Sequence, residues 1–218
     1  MNYNIVVIGA GAAGLMAAAT AGGRGKKVLL LEHSEKIGQK IRISGGGRCN
    51  FTNLGASPKN YISANPHFAI SSLSRYTQHD FIKLVESYKI AYHEKTLGQL
   101  FCDGSSTQII NMLVAECNKH SVKIVVGCTV HKVTKDGLFK LETNKGIFEC
   151  ESLIIATGGL SIPKLGATDF GYRIARQFDL NIITPKPALV PLTVASKDLE
   201  FYKSLSGVSS ASVVTYKK

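Results

Sequence analysis

The most restrictive feature of the sequence is a glycine-rich turn near its amino terminus, Gly9-Ala10-Gly11-Ala12-Ala13-Gly14. A short apolar run, Tyr3 to Ile8, precedes the turn, and a small, helix-forming run, Leu15 to Ala21, follows it. A second apolar run, Lys27 to Leu31, ends at Glu32. This order of strand, turn, helix, strand and acidic residue predicts the βαβ unit of a dinucleotide-binding domain.

Each position of the turn has a physical reason. Gly9 allows the tight exit from the strand, Gly11 lets a pyrophosphate approach the backbone, and Gly14 lets the helix pack closely on the sheet. The free N–H groups and the positive end of the helix then face the phosphates. Glu32 is predicted to accept hydrogen bonds from ribose hydroxyls and to repel a 2′-phosphate. The competing interpretation is a purely structural glycine turn.

The composition is that of a globular protein. The chain has 218 residues, 44% hydrophobic and 19% charged, which suits one large domain or one domain and part of another. Its formal net charge is +11. An anionic cofactor or substrate explains part of that charge, and a generally basic proteome would explain it equally well. Seven of the cations concentrate near the proposed pyrophosphate site: Arg24, Lys26, Lys27, Lys36, Lys40, Arg42 and Arg48.

The cysteines and the termini point to a reduced, cytoplasmic protein without a membrane span. Five cysteines form no CxxC pair, and no histidine stands at zinc-binding spacing from them, so we predict free thiols and no metal site. The amino terminus enters the first strand directly, without a basic region or a cleavage site. No apolar run reaches the roughly 18 residues of a membrane-spanning helix.

A second glycine-rich stretch, Ser44 to Asn53, reads SGGGRCNFTN. Three consecutive glycines make a poor helix and a poor strand. They suit a loop whose backbone lies against something flat or charged, whereas the alternative is a flexible surface loop.

The remaining pattern predicts alternating helices and strands. Between Pro66 and Lys89 the spacing favours two short helices, with Phe68, Ile70, Leu73, Phe81, Leu84 and Val85 as core candidates. Further predicted elements are strands at 90–93 and 99–102, a helix capped by residues 105–107 and running to about 119, a parallel strand at 122–126 and a three-stranded antiparallel meander over 129–150.

A buried strand is predicted over 151–159, reading ESLIIATGG. Its small carboxyl-terminal residues leave the backbone open at the sheet edge where ligands of α/β folds bind. Beyond it we predict a helix at 169–178, a short strand at 181–184, a proline break at 185–187, and strands at 188–194 and 208–215.

The combination of GAGAAG, Glu32, SGGGRCNFTN, the ATGG strand end and PALVPL at 187–192 resembles the BaiN-like flavoproteins, also called the YhiN or aminoacetone-oxidase-like family. The resemblance runs in order along the whole chain, and SGGGRCN is its most specific part. It implies an α/β fold: an FAD/NAD(P)-binding Rossmann-like domain of the glutathione-reductase type with a three-stranded antiparallel meander, followed by the start of a second, mainly β domain.

The resemblance also implies a division of the chain. Residues 1–190 would form the FAD-binding domain without its carboxyl-terminal completion, and residues 191–218 would begin a substrate domain. Because family members look about twice as long, we expect the amino-terminal half of such a protein, and a complementing chain is one expected partner.

The residues that the resemblance places at FAD fall into four groups. The glycine turn would hold the pyrophosphate and Glu32 the adenosine ribose, while Val130 would offer backbone contacts to adenine. The strand end and the second glycine-rich loop would lie beside the dinucleotide and the flavin. The full expected set is Gly9, Ala10, Gly11, Ala12, Ala13, Gly14, Glu32, Lys40, Gly45, Gly46, Gly47, Arg48, Cys49, Asn50, Val130, Ala156, Thr157 and Gly158.

The expected function is that of an FAD-dependent oxidoreductase, carrying hydride from NADH or NADPH to a small organic acceptor or to oxygen. The absence of a second GxGxxG between residues 120 and 190 argues against a built-in NADPH module. No catalytic residue is predicted. Arg48 is the candidate for positive charge near the phosphates or a reduced flavin; the alternative is a solvated surface residue. Cys49 is expected to pack against its neighbours or to contact the cofactor rather than to react.

Two other functions compete with this expectation. The chain could be a non-catalytic FAD- or nucleotide-binding fragment or half of a two-chain flavoprotein. It could also modify RNA, which the net charge permits. Because no basic stretch alternates with aromatic residues as a nucleic-acid surface would, nucleic acid is not the expected partner.

Overall fold

A computed structural model of the chain describes residues 2–187, 193–208, 211, 213 and 215. It divides into two compact units, Met1–Asn181 and Ile182–Lys218. The domain boundary predicted at 190/191 falls within the second of these units and stays a prediction.

The described strands all lie in the first unit. In chain order they are β1 Asn2–Ile8, β2 Val28–Leu31, β3 Asn50–Asn53, β4 Tyr92–Glu94, β5 Gln99–Cys102, β6 Lys123–Val125, β7 Val130–Asp136, β8 Leu138–Thr143 and β9 Gly146–Ile155. Two sheets result, one of six strands in the order β6-β2-β1-β9-β8-β7 and one of three in the order β3-β5-β4.

The described α-helices are α1 Ala12–Gly23, α2 Gln39–Ile43, α3 Ile70–Arg75, α4 Gln78–Ser87, α5 Thr107–Lys119, α6 Phe170–Gln177 and α7 Leu199–Ser204. None of these helices has both the length and the apolar character needed to cross a membrane. Short 3₁₀ turns connect several of them, among them one at Ser44–Gly47.

The six-stranded sheet is parallel on one side and antiparallel on the other. Strands β6, β2, β1 and β9 run parallel, while β8 is antiparallel to both β9 and β7. Since neighbouring parallel strands end at the same edge, the glycine turn after β1, Glu32 after β2 and Ala156 after β9 meet there. The fold therefore assembles the predicted site from three separate stretches of chain.

Both faces of the sheet are covered, as its apolar strands require. Successive residues of β1 and β2 point to opposite faces, so that Val7 and Leu30 join the cluster formed with α1 and α5, whereas Val6 and Leu29 join the cluster with the meander and α6. Because both faces are covered, a ligand can approach the sheet at its carboxyl edge.

The three-stranded sheet packs on α4. Phe51 of β3 packs in a tilted arrangement on Phe81 of α4, at 6.2 Å between ring centroids, and makes an edge contact with Tyr92 of β4, at 5.4 Å. This cluster fixes β3 and hence the glycine-rich loop that leads into it.

Most of the elements predicted within the first unit are confirmed. The predicted antiparallel strand ending at Cys150 and the predicted strand from Glu151 are one continuous strand, β9, so their separation was wrong. The short strand expected at 181–184 is also wrong, because these residues are irregular. Phe68 and Ile70, expected in the core, are exposed.

The described residues of the second unit include a 3₁₀ turn at Ser196–Asp198 and helix α7, which the sequence did not predict. The strands predicted at 188–194 and 208–215 fall largely outside the described residues. The described positions 193–195 and 208 are irregular.

Candidate functional site

The turn after β1 is fixed by backbone hydrogen bonds from both neighbouring strands. The Gly9 N–H donates to the Leu31 carbonyl at 2.7 Å, and the Ala156 N–H donates to the Ile8 carbonyl at 2.8 Å. Gly9 has φ +103°, and a Cβ built there would lie 2.5 Å from the Ala156 oxygen. A side chain at this position would therefore be both strained and obstructed.

Gly14 and Gly11 differ in what surrounds them. A Cβ on Gly14 would collide with the Gly9 carbonyl oxygen, so the close contact between α1 and the turn requires glycine. A Cβ on Gly11 would meet no atom of the described residues within 4 Å. Gly11 thus faces open space, which a ligand could occupy and a side chain would fill.

The amino-terminal end of α1 offers positive potential. Gly11 is its N-cap residue, no side chain caps the helix, and the first turn contains no acidic residue. The first N–H groups of a helix have no intrahelical partners and carry partial positive charge. This end of α1 therefore suits an anion such as a pyrophosphate.

Glu32 is buried at the end of β2, and its carboxylate bridges two backbone segments. Its Oε2 accepts a hydrogen bond from the Ala10 N–H at 2.7 Å, and its Oε1 accepts one from the Ser34 N–H at 2.9 Å. The His33 Nδ1 also lies 3.0 Å from Oε1. These contacts fix a carboxylate beside the glycine turn, with further acceptor capacity for hydroxyl groups.

A cavity of about 390 Å³ runs along this edge of the sheet. Of the predicted site residues, it is lined by Gly9, Gly11, Ala12, Ala13, Glu32, Lys40, Val130, Ala156, Thr157 and Gly158. Ala10 and Gly14 support the turn from behind instead. The structure therefore brings the turn, the acid, the strand end and the first residue of β7 together around one space.

Lys40 connects two walls of this cavity. From helix α2, its Nζ donates to the Gly159 carbonyl at 3.1 Å and to the Ser161 Oγ at 3.0 Å. The same nitrogen lies 3.6 Å from where a Cβ on Gly158 would be. A cation held in place by hydrogen bonds therefore lies close to the end of β9 and lines the same cavity as the amino-terminal end of α1.

The second glycine-rich loop is a tight turn rather than a flexible one. Gly45, Gly46 and Gly47 all have positive φ, and a Cβ on Gly45 would lie 2.7 Å from the Phe101 ring. The Ser106 N–H donates to the Gly47 carbonyl at 2.7 Å, and the Cys102 N–H donates to the Arg48 carbonyl at 3.0 Å.

This loop borders a second cavity, of about 720 Å³, which shares Ala12, Ala13, Lys40 and Ile41 with the first. Of the predicted loop residues, Cys49 and Asn50 line it. Gly45, Gly46, Gly47 and Arg48 line neither cavity, and Arg48 is exposed. Their predicted contact with a cofactor stays a prediction.

The Cys49 thiol is buried, and its environment disfavours a thiolate. Desolvation raises its pKa above the ordinary value, which a hydrogen bond with the Ser44 side chain only partly offsets. All five cysteines are buried free thiols. Cys49 therefore suits packing beside the second cavity better than nucleophilic chemistry.

Sequence reasoning missed several residues of the first cavity: His33, Ser34, Gly38, Gln39, Ile41, Cys128, Thr129, Leu165, Gly166, Ala167, Thr168, Phe170 and Arg173. His33 and Ser34 follow Glu32 directly, so adjacency could have suggested them. Arg173 is a second cation on the cavity, and its Nε lies 3.0 Å from the Asp169 Oδ1. Only the docking of α6 brings it there, and no local pattern signals that.

The sheet order, the glycine turn and the buried acid define a Rossmann-like α/β domain of the FAD-binding type. The chain belongs to the family described as HI0933-like protein Rossmann domain, whose profile matches residues 3–216. Among solved structures, it resembles a 3-ketosteroid-delta4-(5alpha)-dehydrogenase from Rhodococcus jostii RHA1, with a TM-score of 0.54 and 16% identity over 73% of this chain and 46% of that chain.

Two curated relatives are similar in sequence. A "Ribosomal RNA dihydrouridine synthase" of Escherichia coli (strain K12) is 52% identical over 214 residues, which are 98% of this chain and 54% of the relative. A "3-dehydro-bile acid delta(4,6)-reductase" of Clostridium scindens is 32% identical over 87% of this chain and 47% of the relative. The chain spans about half the length of these relatives.

Proposed function

We propose that this chain binds FAD and forms the cofactor-binding part of a flavin-dependent reductase that acts on a uridine of ribosomal RNA. The FAD assignment rests on one observation: the space in front of Gly11, between the amino-terminal end of α1 and the Glu32 carboxylate, is open. Protein atoms exclude a side chain at Gly9 and at Gly14, whereas the space at Gly11 is free. This arrangement suits a ligand that contacts the backbone at Gly11.

Each group of residues fits one part of a dinucleotide. The α1 terminus and the nearby Lys40 would hold the pyrophosphate, since both are positive and both line the cavity. Glu32 would accept hydrogen bonds from the adenosine ribose, and the backbone at Val130 would face the adenine. When bound, FAD supplies hydride transfer, for which NADH or NADPH is the proposed electron donor.

The substrate assignment follows from the relative of 52% identity, which is named a ribosomal RNA dihydrouridine synthase. Dihydrouridine is uridine whose C5–C6 double bond is reduced, so the reaction adds a hydride and a proton across that bond. The net charge of +11 permits a polyanionic substrate. This proposal reverses the expectation from sequence that nucleic acid is not a partner.

A second candidate is a reductase of small organic molecules. The 32% identity with a bile acid reductase supports reduction of a carbon–carbon double bond conjugated to a carbonyl, chemistry that a uracil ring shares. A third candidate is a cofactor-binding half without turnover of its own. The match to only about half of each relative supports it, because a complementing chain or segment would then complete the protein.

The FAD assignment is tested by the visible absorption of the purified chain before and after FAD is added. We expect flavin bands that remain after gel filtration and that are lost in Gly11→Ala. The control is Thr20→Ala at the far end of α1, whose Oγ1 donates only to the Met16 carbonyl. A Gly11→Ala variant that retains FAD like the parent would overturn this use of the turn.

The substrate assignment is tested by incubating the FAD-loaded chain with NADH or NADPH and ribosomal RNA, and by mass analysis of the digested nucleosides. We expect a uridine that gains the mass of two hydrogens. Retained FAD without reduction of RNA or of a small conjugated ketone would favour the non-catalytic half. Reduction of the ketone alone would favour the small-molecule reductase.

A further inference from the structure

One long stretch of the chain contains no carboxylate side chain. Between Glu35 and Asp80 the sequence has no aspartate or glutamate, although the whole chain has 15. We call Lys36–His79 the acid-free segment. Its cationic side chains are Lys36, Lys40, Arg42, Arg48, Lys59 and Arg75.

The second half of the acid-free segment exposes aromatic rings. Phe68 is 76% exposed, Tyr61 53% and Tyr76 40%, and Ile62 between them is fully exposed. Tyr61 and Tyr76 line the same cavity, and Phe68 lies two residues before the short helix α3, which buries none of its residues. Large apolar side chains exposed in one stretch of chain favour an interaction surface.

The exposed rings stand with exposed cations in the same stretch. Lys59 precedes Tyr61 by two residues, and Arg75 directly precedes Tyr76. Both cations are exposed, and no carboxylate of the described residues lies within ion-pair distance of either. Their charge is therefore available to a partner.

This surface leads into the second cavity. Tyr61, Leu73 and Tyr76 line that cavity together with Asn50 of the glycine-rich loop. The cavity in turn shares Lys40 and the start of α1 with the first cavity. A linear polymer bound on this surface could therefore extend one of its units toward the first cavity.

We propose that residues 58–76 form a docking surface for single-stranded RNA, an inference that rests on the proposed function. Bases stack on exposed aromatic rings, and cations neutralise the phosphates between them. A double helix keeps its bases stacked on one another, so exposed rings serve an unpaired strand. An apolar surface for a protein partner would not need the exposed cations Lys59 and Arg75.

The test measures fluorescence anisotropy of a labelled, uridine-containing oligoribonucleotide that cannot pair with itself, titrated with the FAD-loaded chain over a range of salt concentrations. Two variants remove the two proposed contributions: Phe68→Ala, and Lys59→Glu combined with Arg75→Glu. Their matched controls are Ile147→Ala, an exposed apolar residue of β9, and Lys132→Glu combined with Lys140→Glu in the meander. The two charge variants have the same net charge.

We expect Phe68→Ala to weaken RNA binding by about tenfold. The Lys59 and Arg75 variant should weaken binding and flatten the slope of log K against log salt concentration by at least about 1.4, since each lost phosphate contact on a single strand removes about 0.7. Neither control variant should weaken RNA binding or flatten the salt slope to a comparable extent. All four variants should retain FAD absorbance.

Three outcomes would overturn the docking surface. If RNA binds but the test variants behave like their controls, the RNA lies elsewhere and the proposed function stands. If the chain retains FAD but binds no RNA, the RNA substrate falls with the surface. If Phe68→Ala abolishes self-association and leaves RNA binding unchanged, the surface is instead an interface between copies of the chain.

Discussion

The carbonyl oxygen of Gly9 occupies the position that a methyl group on Gly14 would need. The Ala156 Cβ, 3.3 Å from the same position, prevents the helix from shifting toward the strand end. We predict that Gly14→Ala lowers the free energy of unfolding by about 1–3 kcal/mol, the usual cost of overpacking. Urea unfolding followed by far-ultraviolet circular dichroism measures it.

The control for this prediction is Gly11→Ala, three residues earlier in the same turn. Its added methyl group meets no atom of the described chain within 4 Å, and its φ of −82° suits alanine. Because alanine is a poorer N-cap than glycine, its free energy of unfolding should fall by no more than about 1 kcal/mol when FAD is absent. Equal losses in the two variants would contradict the distinction between a packing glycine and a ligand-facing one.

Glu32→Ala removes the acceptor of two backbone N–H groups. The Ala10 N–H is buried and would be left without a partner, which costs about 1–3 kcal/mol. We therefore predict lower stability even without cofactor, and weaker FAD binding in addition. Thermal unfolding with and without FAD separates the two effects, with Glu94→Ala as an exposed carboxylate control. A loss of FAD binding at unchanged stability would mean that the bridge to Ala10 contributes nothing.

Lys40→Met keeps the length of the side chain but loses its charge and its hydrogen bonds to Gly159 and Ser161. Since a cation near a pyrophosphate makes charge-assisted contacts, we predict FAD binding weaker by about tenfold. Quenching of flavin fluorescence measures the dissociation constant. Lys36→Met removes an exposed charge from the same stretch and should change it little. If both variants bind FAD equally well, Lys40 is a structural link only.

The parts of the site that sequence could predict are those encoded by local spacing. Gly9, Gly14 and Glu32 lie within one βαβ unit, where the turn and the strand end follow directly from residue type. Arg173 could not be predicted, because it reaches the cavity only through the docking of α6. For tertiary contacts of this kind, the sequence offers no periodic signal.

The errors in the predicted fold have physical reasons as well. Strand β9 changes partner along its length: Gly146 to Cys150 pairs with β8, and Glu149 to Ile155 pairs with β1. The sequence of β9 therefore changes from alternating polar and apolar residues to a continuous apolar run. This change resembles a boundary between two strands, although the backbone continues as one strand. Phe68 and Ile70 have core-like spacing, but the six-residue helix α3 buries none of its residues and Phe68 lies before it.

The buried thiols should make stability fall in alkaline solution. Burial raises the pKa of Cys102 and of Cys117 from 9.0 to about 11. Between these values the unfolded chain loses protons that the folded chain retains, so the free energy of unfolding decreases as pH rises from about 9 to about 11. Well below pH 9 these two thiols contribute almost no pH dependence, because both states keep them protonated.

Urea unfolding at pH 8 and at pH 10 measures this decrease. Cys102→Ala should reduce it, because one of the thiols whose pKa burial raises is gone. Labelling of the native chain with a thiol reagent at pH 8 should be slow at both positions, since each thiol is protonated and shielded. Fast labelling of Cys102 would show a thiolate in the folded protein. Such a thiolate would contradict the raised pKa of Cys102, and reactivity of the Cys49 thiol, whose pKa is also raised by burial, would then need the same test.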